Sequence, residues 1–428
     1  MIRRSTAARG LAIAAVLSVG LAACSTTTET GGDGEGAASQ DPLIVGTILP
    51  VTGTLSSLGP PEIAGVGLAI EDINEAGGVL GNEVTMEAGD SGDTTDPSVG
   101  QQTATDLISK GAQVVIGAAS SGVSLNVVDQ FTEAGVMQIS PANTATDLSG
   151  ASDFFARTAP PDTVQGAALG SLILDDGHQK VAMIVQDEAY GNGLRDNIQQ
   201  AVENGGGEVV YGATDGGDEF PPGESSFSGI VTDVLASEPD AVVVVAFEET
   251  QAIVSELISQ NWKFDGTTYF TDGNTQTYEE TFEPGTLEGV TGTIPGAQAQ
   301  DEFRERVNAW YEENEGEALS DFSYAPESYD AVILAALAAV RGDGTDGATI
   351  SENIRAVSGS EGGTEVTTYA EGVEALEAGD EIHYKGQSGA GPLNESNDPS
   401  SALIGVYEYD ENNVNVYETF IEGEVPEE

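Results

Sequence analysis

The chain repeats one pattern along most of its length: a short run rich in valine and isoleucine, then a stretch with helical periodicity. Apolar runs of this kind fall at 43–50, 83–90, 112–120, 136–142, 180–187, 208–214, 241–247 and 267–272. Continuous β-branched runs indicate strands whose two faces are both covered, which is typical of parallel sheets. The pattern therefore predicts an α/β fold built from doubly wound, Rossmann-like parallel sheets.

The repeat divides into two sets at Pro160-Pro161. Helical stretches separate the runs on both sides of this break, at 63–76, 98–110, 122–134, 163–175, 191–204, 225–236 and 249–260. A chain of 428 residues also exceeds what one hydrophobic core usually serves. We therefore expect two lobes, each with its own parallel sheet.

Beyond Gly289 the regular order ends. The sequence favours helices at 301–315, 326–341 and 349–357 and a closing hairpin in GVYEYDENNVNVYETF, whereas 359–400 is rich in Gly, Glu and Ser and carries no clear pattern. A late return of the chain to both lobes indicates several crossings between them and a hinged cleft.

The N-terminus has the order of a secretory signal peptide. Arg3, Arg4 and Arg9 precede an apolar stretch at 11–23 that is too short to span a bilayer, and small residues lead to Cys24, the single cysteine of the chain. A cysteine at this position resembles the lipobox of bacterial lipoproteins, in which the thiol is acylated. We predict a signal peptide at 1–23 and lipidation of Cys24. The alternatives are a cleaved signal with a chance cysteine and a buried free thiol.

The segment after Cys24 is a linker by composition. Residues 25–40 consist of Ser, Thr, Gly, Ala, Gln and acids, and such a stretch has nothing to bury against its ordering entropy. A flexible coil of this length reaches roughly 20–25 Å. We therefore predict a lipidated flexible linker at 24–40, with the folded body beginning near Asp41 outside the cell membrane.

The charge balance is strongly acidic, with 13 basic and 72 acidic residues and a net charge of −59. Acids are dispersed along the chain, which indicates a solvated surface rather than one acidic tail. Such a charge repels nucleic acid and anionic membranes and keeps a protein soluble, but it does not name a ligand. Salt adaptation and an acidic extracellular environment would both account for it.

Several segments, in this order and spacing, resemble a solute-binding lipoprotein of the branched-chain amino-acid transport family. They are IVGTILPVTGTLSSLGP, GVGLAIEDINEAGGVLGNEV, VVIGAASSGVSLNV, MQISPANTATDL, FFARTAPPD, VQDEAYGNGL and SYDAVILAALAAV, and the resemblance covers 42–428. It implies the type I periplasmic-binding-protein fold, with three crossings near 160, 294 and 401. Lobe I would comprise 41–160 plus 294–400, and lobe II 161–293 plus 401–428.

In lobe I, the end of strand 112–120 and the start of the next helix offer free backbone N–H groups, which suit a carboxylate. The resemblance assigns carboxylate binding to Ser121, and contacts with the ligand's carboxylate and ammonium to Ala142 and Thr144. Plain helix capping at the serine and an ordinary turn at 141–144 are the alternatives.

In lobe II, the resemblance assigns Asp272, at the end of strand 267–272, to pairing with the ligand's ammonium. A buried carboxylate facing an ammonium forms a charge-assisted hydrogen bond. Tyr190, Phe247 and, in lobe I, Leu58 match positions that face the ligand's side chain. A solvated turn for Asp272 and ordinary packing for the other three are the alternatives.

An enzyme is the less favoured class. His178 and His383, the only histidines, lack the partner pattern of a zinc site or a catalytic triad, and Gly117–Gly122 lacks the spacing of a nucleophile elbow. We therefore expect no catalytic residue, metal or cofactor. The prediction is a monomeric, lipid-anchored binder of an amino acid or amide-like solute that serves an ABC permease. A ligand-sensing domain of the same fold is the alternative, and which solute is bound stays open.

Overall fold

The computed structural model describes residues 40–296 and 298–425. The predicted signal peptide, Cys24 and all but the last residue of the predicted linker lie outside these ranges. Within them, no helix is both long and apolar enough to cross a membrane.

The first sheet has five parallel strands in the order β2-β1-β3-β4-β5. Its strands are β1 (Ile44–Leu49), β2 (Thr85–Asp90), β3 (Val114–Gly117), β4 (Met137–Ser140) and β5 (Phe155–Arg157). The helices that connect them are α1 (Gly59–Glu75), α2 (Ser98–Lys110) and α3 (Ser121–Ala134).

Strand β3 shows why its sequence is apolar at every position. Val114 and Ile116 belong to one buried cluster, and Val115 between them belongs to another. Side chains alternate across a strand, so both faces of this sheet are covered, as expected of a buried parallel strand.

The second sheet has seven strands in the order β14-β13-β10-β9-β8-β6-β7. Its parallel strands are β6 (Lys180–Val185), β7 (Glu208–Tyr211), β8 (Ala241–Val245), β9 (Thr268–Phe270) and β10 (Thr291–Pro295). Its helices are α4 (Asp162–Asp175), α5 (Ala189–Asn204), α6 (Ser228–Ala236) and α7 (Thr250–Ser259).

After β10 the chain leaves the second sheet and later returns. The intervening elements are α8 (Asp301–Glu315), α9 (Ala325–Gly342), α10 (Gly347–Val357), β11 (Thr364–Val366), α11 (Tyr369–Ala378) and β12 (Ile382–Tyr384). Helices α8 and α9 pack on α1, beside the first sheet. Strands β13 (Ser401–Tyr409) and β14 (Asn415–Glu424) then form an antiparallel hairpin on the edge of the second sheet.

The predicted fold class is confirmed: two doubly wound, largely parallel sheets are joined by several passages of the chain. The closing hairpin was predicted correctly. Within 359–400, where the sequence carries no clear pattern, the structure has α11 and the short parallel pair β11-β12. Strand β5 was also missed, because only three residues of FFARTAP pair at the sheet edge.

Candidate ligand-binding site

The predicted first-lobe residues lie at the carboxyl ends of β3 and β4, where open α/β sheets bind ligands. Ser120 is the N-cap of α3, and its Oγ accepts a hydrogen bond from Val123 N. Ser121 is therefore free of the capping role. Its Oγ instead accepts hydrogen bonds from Thr144 N at 3.3 Å and Ala145 N at 3.2 Å. This serine ties the start of α3 to the turn after β4.

The turn after β4 is held mainly by its own side chains. Ser140 Oγ accepts hydrogen bonds from Ala142 N at 3.3 Å and from Asn143 N at 3.1 Å. Thr144 O accepts one from Asp162 N at 2.7 Å. Thr144 Oγ1 is buried, with no partner in hydrogen-bonding geometry among the described residues. This hydroxyl lies close to the carboxyl group of Asp162, which also has no partner in that geometry among the described residues.

Asp272, the predicted site residue at a strand end of the second sheet, accepts hydrogen bonds from two tyrosines. Its Oδ1 accepts a hydrogen bond from Tyr190 at 2.8 Å, and its Oδ2 accepts one from Tyr324 at 2.7 Å. Tyr190 lies in the first turn of α5, which packs on the second sheet, whereas Tyr324 directly precedes α9 beside the first sheet. Burial raises the pKa of Asp272, and the two tyrosine hydroxyls lower it. A polar contact therefore joins the two halves of the molecule at this carboxylate.

The predicted apolar residues meet in one buried cluster. Tyr190 and Phe247 stack with ring centroids 5.3 Å apart and planes 15° from parallel, and Leu58 and Ala142 belong to the same cluster. Gly273 permits this arrangement, because a Cβ there would stand 2.8 Å from the Phe247 ring. An apolar wall therefore lies beside Asp272.

Sequence reasoning missed Asp162, the first residue of α4. It is fully buried, and neither carboxylate oxygen has a partner in hydrogen-bonding geometry among the described residues. Burial raises the pKa of Asp162 well above its usual range, the charge of Asp272 raises it further, and the nearby Thr144 hydroxyl lowers it. In the sequence, Asp162 looks like an ordinary acid in the first turn of a helix, which is a favourable position in itself.

Glu188 was also missed, and it joins the two halves a second time. This residue caps α5, where its Oε2 accepts a hydrogen bond from Tyr190 N at 2.7 Å. Its Oε1 accepts one from Gly122 N at 2.6 Å and lies 3.4 Å from Ser120 Oγ. The start of α3, predicted to receive a ligand's carboxylate, therefore holds a carboxylate of the protein itself.

The site is closed in this structure. Each of the seven predicted ligand-binding residues is no more than 9% exposed. A cavity of about 1180 Å³ lies elsewhere, beside Arg355, Asn394 and Ser400, and a second of about 320 Å³ lies beside Glu327 and Tyr407. We place the ligand site by the convergence of buried polar groups, because neither cavity is lined by Ser121 or Asp272.

Residues 42–373 match the sequence model of one protein family, the periplasmic binding protein family. Leu/Ile/Val-binding protein homolog 3 of Brucella melitensis is 30% identical over 217 residues, which are 50% of this chain and 56% of the relative. Leu/Ile/Val-binding protein BraC3 of Rhizobium johnstonii is 32% identical over 47% of this chain and 53% of its own. The chain thus spans about half the length of these two curated relatives.

A longer match joins the chain to a protein of Halobacterium salinarum. This relative is the chemotactic signal transduction system substrate-binding protein BasB, 28% identical over 85% of this chain and 86% of its own length. Among solved structures, a leucine-binding protein of Thermotoga maritima superposes with a TM-score of 0.71 at 21% identity, covering 89% of this chain and 98% of its own. At that identity the superposition establishes the fold alone.

Proposed function

The chain belongs to the periplasmic binding protein family, and on that premise we propose that it is an extracytoplasmic solute-binding lipoprotein. It captures an amino acid or a related small polar solute between its lobes and delivers it to an ABC importer. Asp272 carries the proposal: it is a buried carboxylate beside an apolar wall, bonded to tyrosines from both halves of the molecule. Such a site closes around a small ligand and links the lobes through it.

The ligand-contacting groups follow from this arrangement. Asp162 and Asp272 face a positively charged group of the solute, and the Thr144 hydroxyl offers a further hydrogen bond. Leu58, Ala142, Tyr190 and Phe247 contact its apolar part; Ser121 holds the first-lobe turn in place and remains a candidate contact for the solute's polar end. Lobe I comprises 41–160 plus 294–400, and lobe II 161–293 plus 401–428.

Membrane attachment through lipidated Cys24 is part of the proposal. It is supported by the signal-peptide order of 1–23 and by the family to which the folded body belongs. The protein acts as a monomer that binds an ABC permease on the extracytoplasmic side of the membrane. Its surface charge gives it no role with nucleic acid.

A sensory role is the second candidate. It is favoured by BasB, a relative named for chemotactic signal transduction, which aligns over most of both chains. The same closed form would then be recognised by a receptor rather than by a permease. Uptake of the identified solute by cells without this gene separates the two: a loss of uptake supports transport, and normal uptake with lost chemotaxis supports sensing.

The first test is a thermal-shift screen of amino acids, their amides and urea. A ligand that binds only the folded protein raises its melting temperature. At a hundredfold excess of ligand over Kd, binding adds about 2.7 kcal/mol to the free energy of unfolding. Stabilisation by one solute class supports the proposal. No response to any small polar solute would contradict it.

The second test is Asp272→Ala, measured by calorimetry with the solute found in the screen. We expect binding to be abolished while the fold is retained; the melting temperature without ligand should fall, because the variant also loses the two tyrosine hydrogen bonds. Asp265→Ala is the matched control, since it removes an exposed carboxylate just before β9. Unchanged affinity in Asp272→Ala would remove this residue from the site.

A further inference from the structure

Three backbone donors beside the predicted carboxylate position are already used within the protein. Gly122 N donates to Glu188 Oε1, Ala142 N to Ser140 Oγ, and Thr144 N to Ser121 Oγ. A carboxylate from solution gains its affinity from such donors at a helix start. At α3 it would first have to displace Glu188.

The contact between Glu188 and α3 is tight. Glu188 is 7% exposed, and its Oε1 accepts a hydrogen bond from Gly122 N at 2.6 Å, which is short for an N–H···O hydrogen bond. A Cβ on Gly122 would stand 2.2 Å from the same oxygen, so the glycine is needed for the approach. The second oxygen caps α5 through Tyr190 N. Both oxygens therefore have firm partners in this closed form.

The guanidinium group of Arg157, which is buried beside the turn after β4, is also not available to a ligand's carboxylate. Arg157 Nε donates to Asp398 at 2.6 Å, Nη1 donates to Ala145 O at 2.8 Å, and Nη2 donates to Ser149 Oγ at 2.8 Å. Each nitrogen of the guanidinium group is thus engaged with the protein. A carboxylate entering the cleft would meet no uncommitted positive charge at Arg157.

The buried groups of the site that lack a hydrogen-bond partner within the described residues are two carboxylate oxygens and a hydroxyl, not cationic groups. Both oxygens of Asp162 and Oγ1 of Thr144 are buried without a partner in hydrogen-bonding geometry among the described residues. Asp162 lies within electrostatic range of Asp272 and Glu188. Three acids and an unpaired hydroxyl form an environment that a cation stabilises and a further carboxylate destabilises.

We propose that the bound solute carries an ammonium or similar cationic group and no carboxylate, and that Glu188 is the residue that excludes the carboxylate. Such a solute is an amine or the carboxamide of an amino acid rather than the free amino acid. The cation faces Asp162, and an apolar part packs against Tyr190 and Phe247. This inference rests on the proposed function, since it names the solute class of the same site.

The experiment compares each of ten α-amino acids with its own α-carboxamide by calorimetry on the complete folded protein. The two members of a pair share the side chain and the α-ammonium; they differ in the second group, which is a charged carboxylate in one and a neutral amide in the other. We expect at least one carboxamide to bind, and to bind at least tenfold more tightly than its free acid. Equal or tighter binding of the free acids would overturn the inference and leave the proposed function standing. Binding of no member of any pair would overturn the inference, whereas the proposed function is tested by the wider thermal-shift screen.

Variants at Glu188 identify the residue responsible. Glu188→Ala frees Gly122 N–H, so we expect the preference for the carboxamide to shrink at least tenfold or to reverse. Glu188→Gln keeps an acceptor for Gly122 and removes the charge, and its preference should lie between those of wild type and Glu188→Ala. Glu203→Ala, which removes an exposed acid from the same helix, is the control. An unchanged preference in a folded Glu188→Ala protein would remove Glu188 from the role, and the wild-type comparison does not depend on these variants.

Discussion

Tyr324 donates a hydrogen bond to Asp272 Oδ2 at 2.7 Å, and this bond joins the elements packed on the first sheet to a strand end of the second. Both side chains are buried. The backbone of Tyr324 has a φ of 61°, in the left-handed region that a non-glycine residue adopts at a cost of about 1 kcal/mol or more. The turn before α9 is therefore held in an unfavourable conformation that aims this hydroxyl at the ligand site.

Tyr324→Phe should weaken ligand binding by about 10- to 150-fold. The substitution keeps the ring and removes one hydrogen bond to a charged acceptor, which contributes about 1.5–3 kcal/mol to the closed form. Calorimetry with the solute identified by screening measures the affinity. Small-angle scattering of the bound protein measures the fraction that remains closed.

Tyr369→Phe is the matched control for this prediction. Its hydroxyl donates to Gly78 O, and both residues lie in the part of the molecule that packs on α1 and α9. Removing that bond should alter stability without altering affinity. Equal loss of affinity in the two variants would show that the Tyr324 effect is a general loss of stability.

Arg157 and Asp398 form a buried ion pair that fixes the late segment to the first sheet. Their side chains are 0% and 2% exposed, and Arg157 Nε lies 2.6 Å from Asp398 Oδ1. Asp398→Ala leaves the guanidinium group buried without its counter-charge, so we expect a loss of about 3–5 kcal/mol in the free energy of unfolding. Urea denaturation followed by circular dichroism measures it.

Lys385 and Glu365 provide a comparison of the same chemistry at the surface. Their nitrogen and oxygen atoms lie 2.8 Å apart, but the side chains are 51% and 65% exposed. Water screens such a pair, so Glu365→Ala should leave the denaturation midpoint unchanged. A similar midpoint for Asp398→Ala and wild type would contradict the anchoring role of the buried pair.

Hydrophobic pattern predicted the two sheets well because parallel strands are covered on both faces. The run 241–247 contains β8, in which Val243 joins one buried cluster and Val242 and Val244 join another. Burial on both sides selects β-branched residues at every position, which makes such strands visible in the sequence. Helix α1 begins at Gly59 rather than at the predicted residue 63, since Pro60 and Pro61 are tolerated in its first turn.

The short strands of 359–400 could not be predicted from the sequence, because they lack a continuous run of buried apolar residues. Strands β11 and β12 have three residues each, and only Val366 of β11 is buried. Their pairing depends on packing against α10 and α11 rather than on local pattern. No periodicity of two can be established over three residues.

The sequence predicts part of the candidate site, and two of the residues that it does not predict share one property. Ser121 and Thr144 follow strands of the first sheet and Asp272 follows a strand of the second, so topology places each at the carboxyl edge of its own sheet. Glu188 and Tyr324 act through partners that are 66 and 52 residues away in the chain. Contacts between lobes depend on how the lobes close, which no local sequence signal records.

Cys24→Ser should release the protein from the membrane. If Cys24 is the acylated N-terminal residue, serine in its place cannot form the thioether, and the folded body stays soluble because of its acidic surface. Metabolic labelling with palmitate, followed by fractionation, measures attachment. Ser25→Ala is the control. Palmitate label retained in Cys24→Ser would contradict lipidation at Cys24.

Glu62→Gln should stabilise the protein at neutral pH. Glu62 lies in α1, is fully buried, and has no hydrogen-bond partner for either oxygen among the described residues. Burial raises its pKa well above the usual range, and the charge of Glu327 raises it further. Ionising this carboxyl therefore destabilises the folded state, and a neutral amide of the same shape removes that cost.

The pH dependence has a definite sign. Between the unfolded pKa of about 4.5 and the raised pKa of the folded state, the native protein binds more protons at Glu62 than the unfolded chain does. The free energy of unfolding therefore falls as pH rises through this window, by about 1.4 kcal/mol for each unit of pKa shift. Glu62→Gln should remove that part of the slope, so its stabilisation relative to wild type should grow from pH 4.5 towards pH 7.5. Urea denaturation at several pH values measures it, with Glu75→Gln, at an exposed position of the same helix, as the control. Parallel curves for Glu62→Gln and wild type would show that Glu62 is not the group whose ionisation opposes folding.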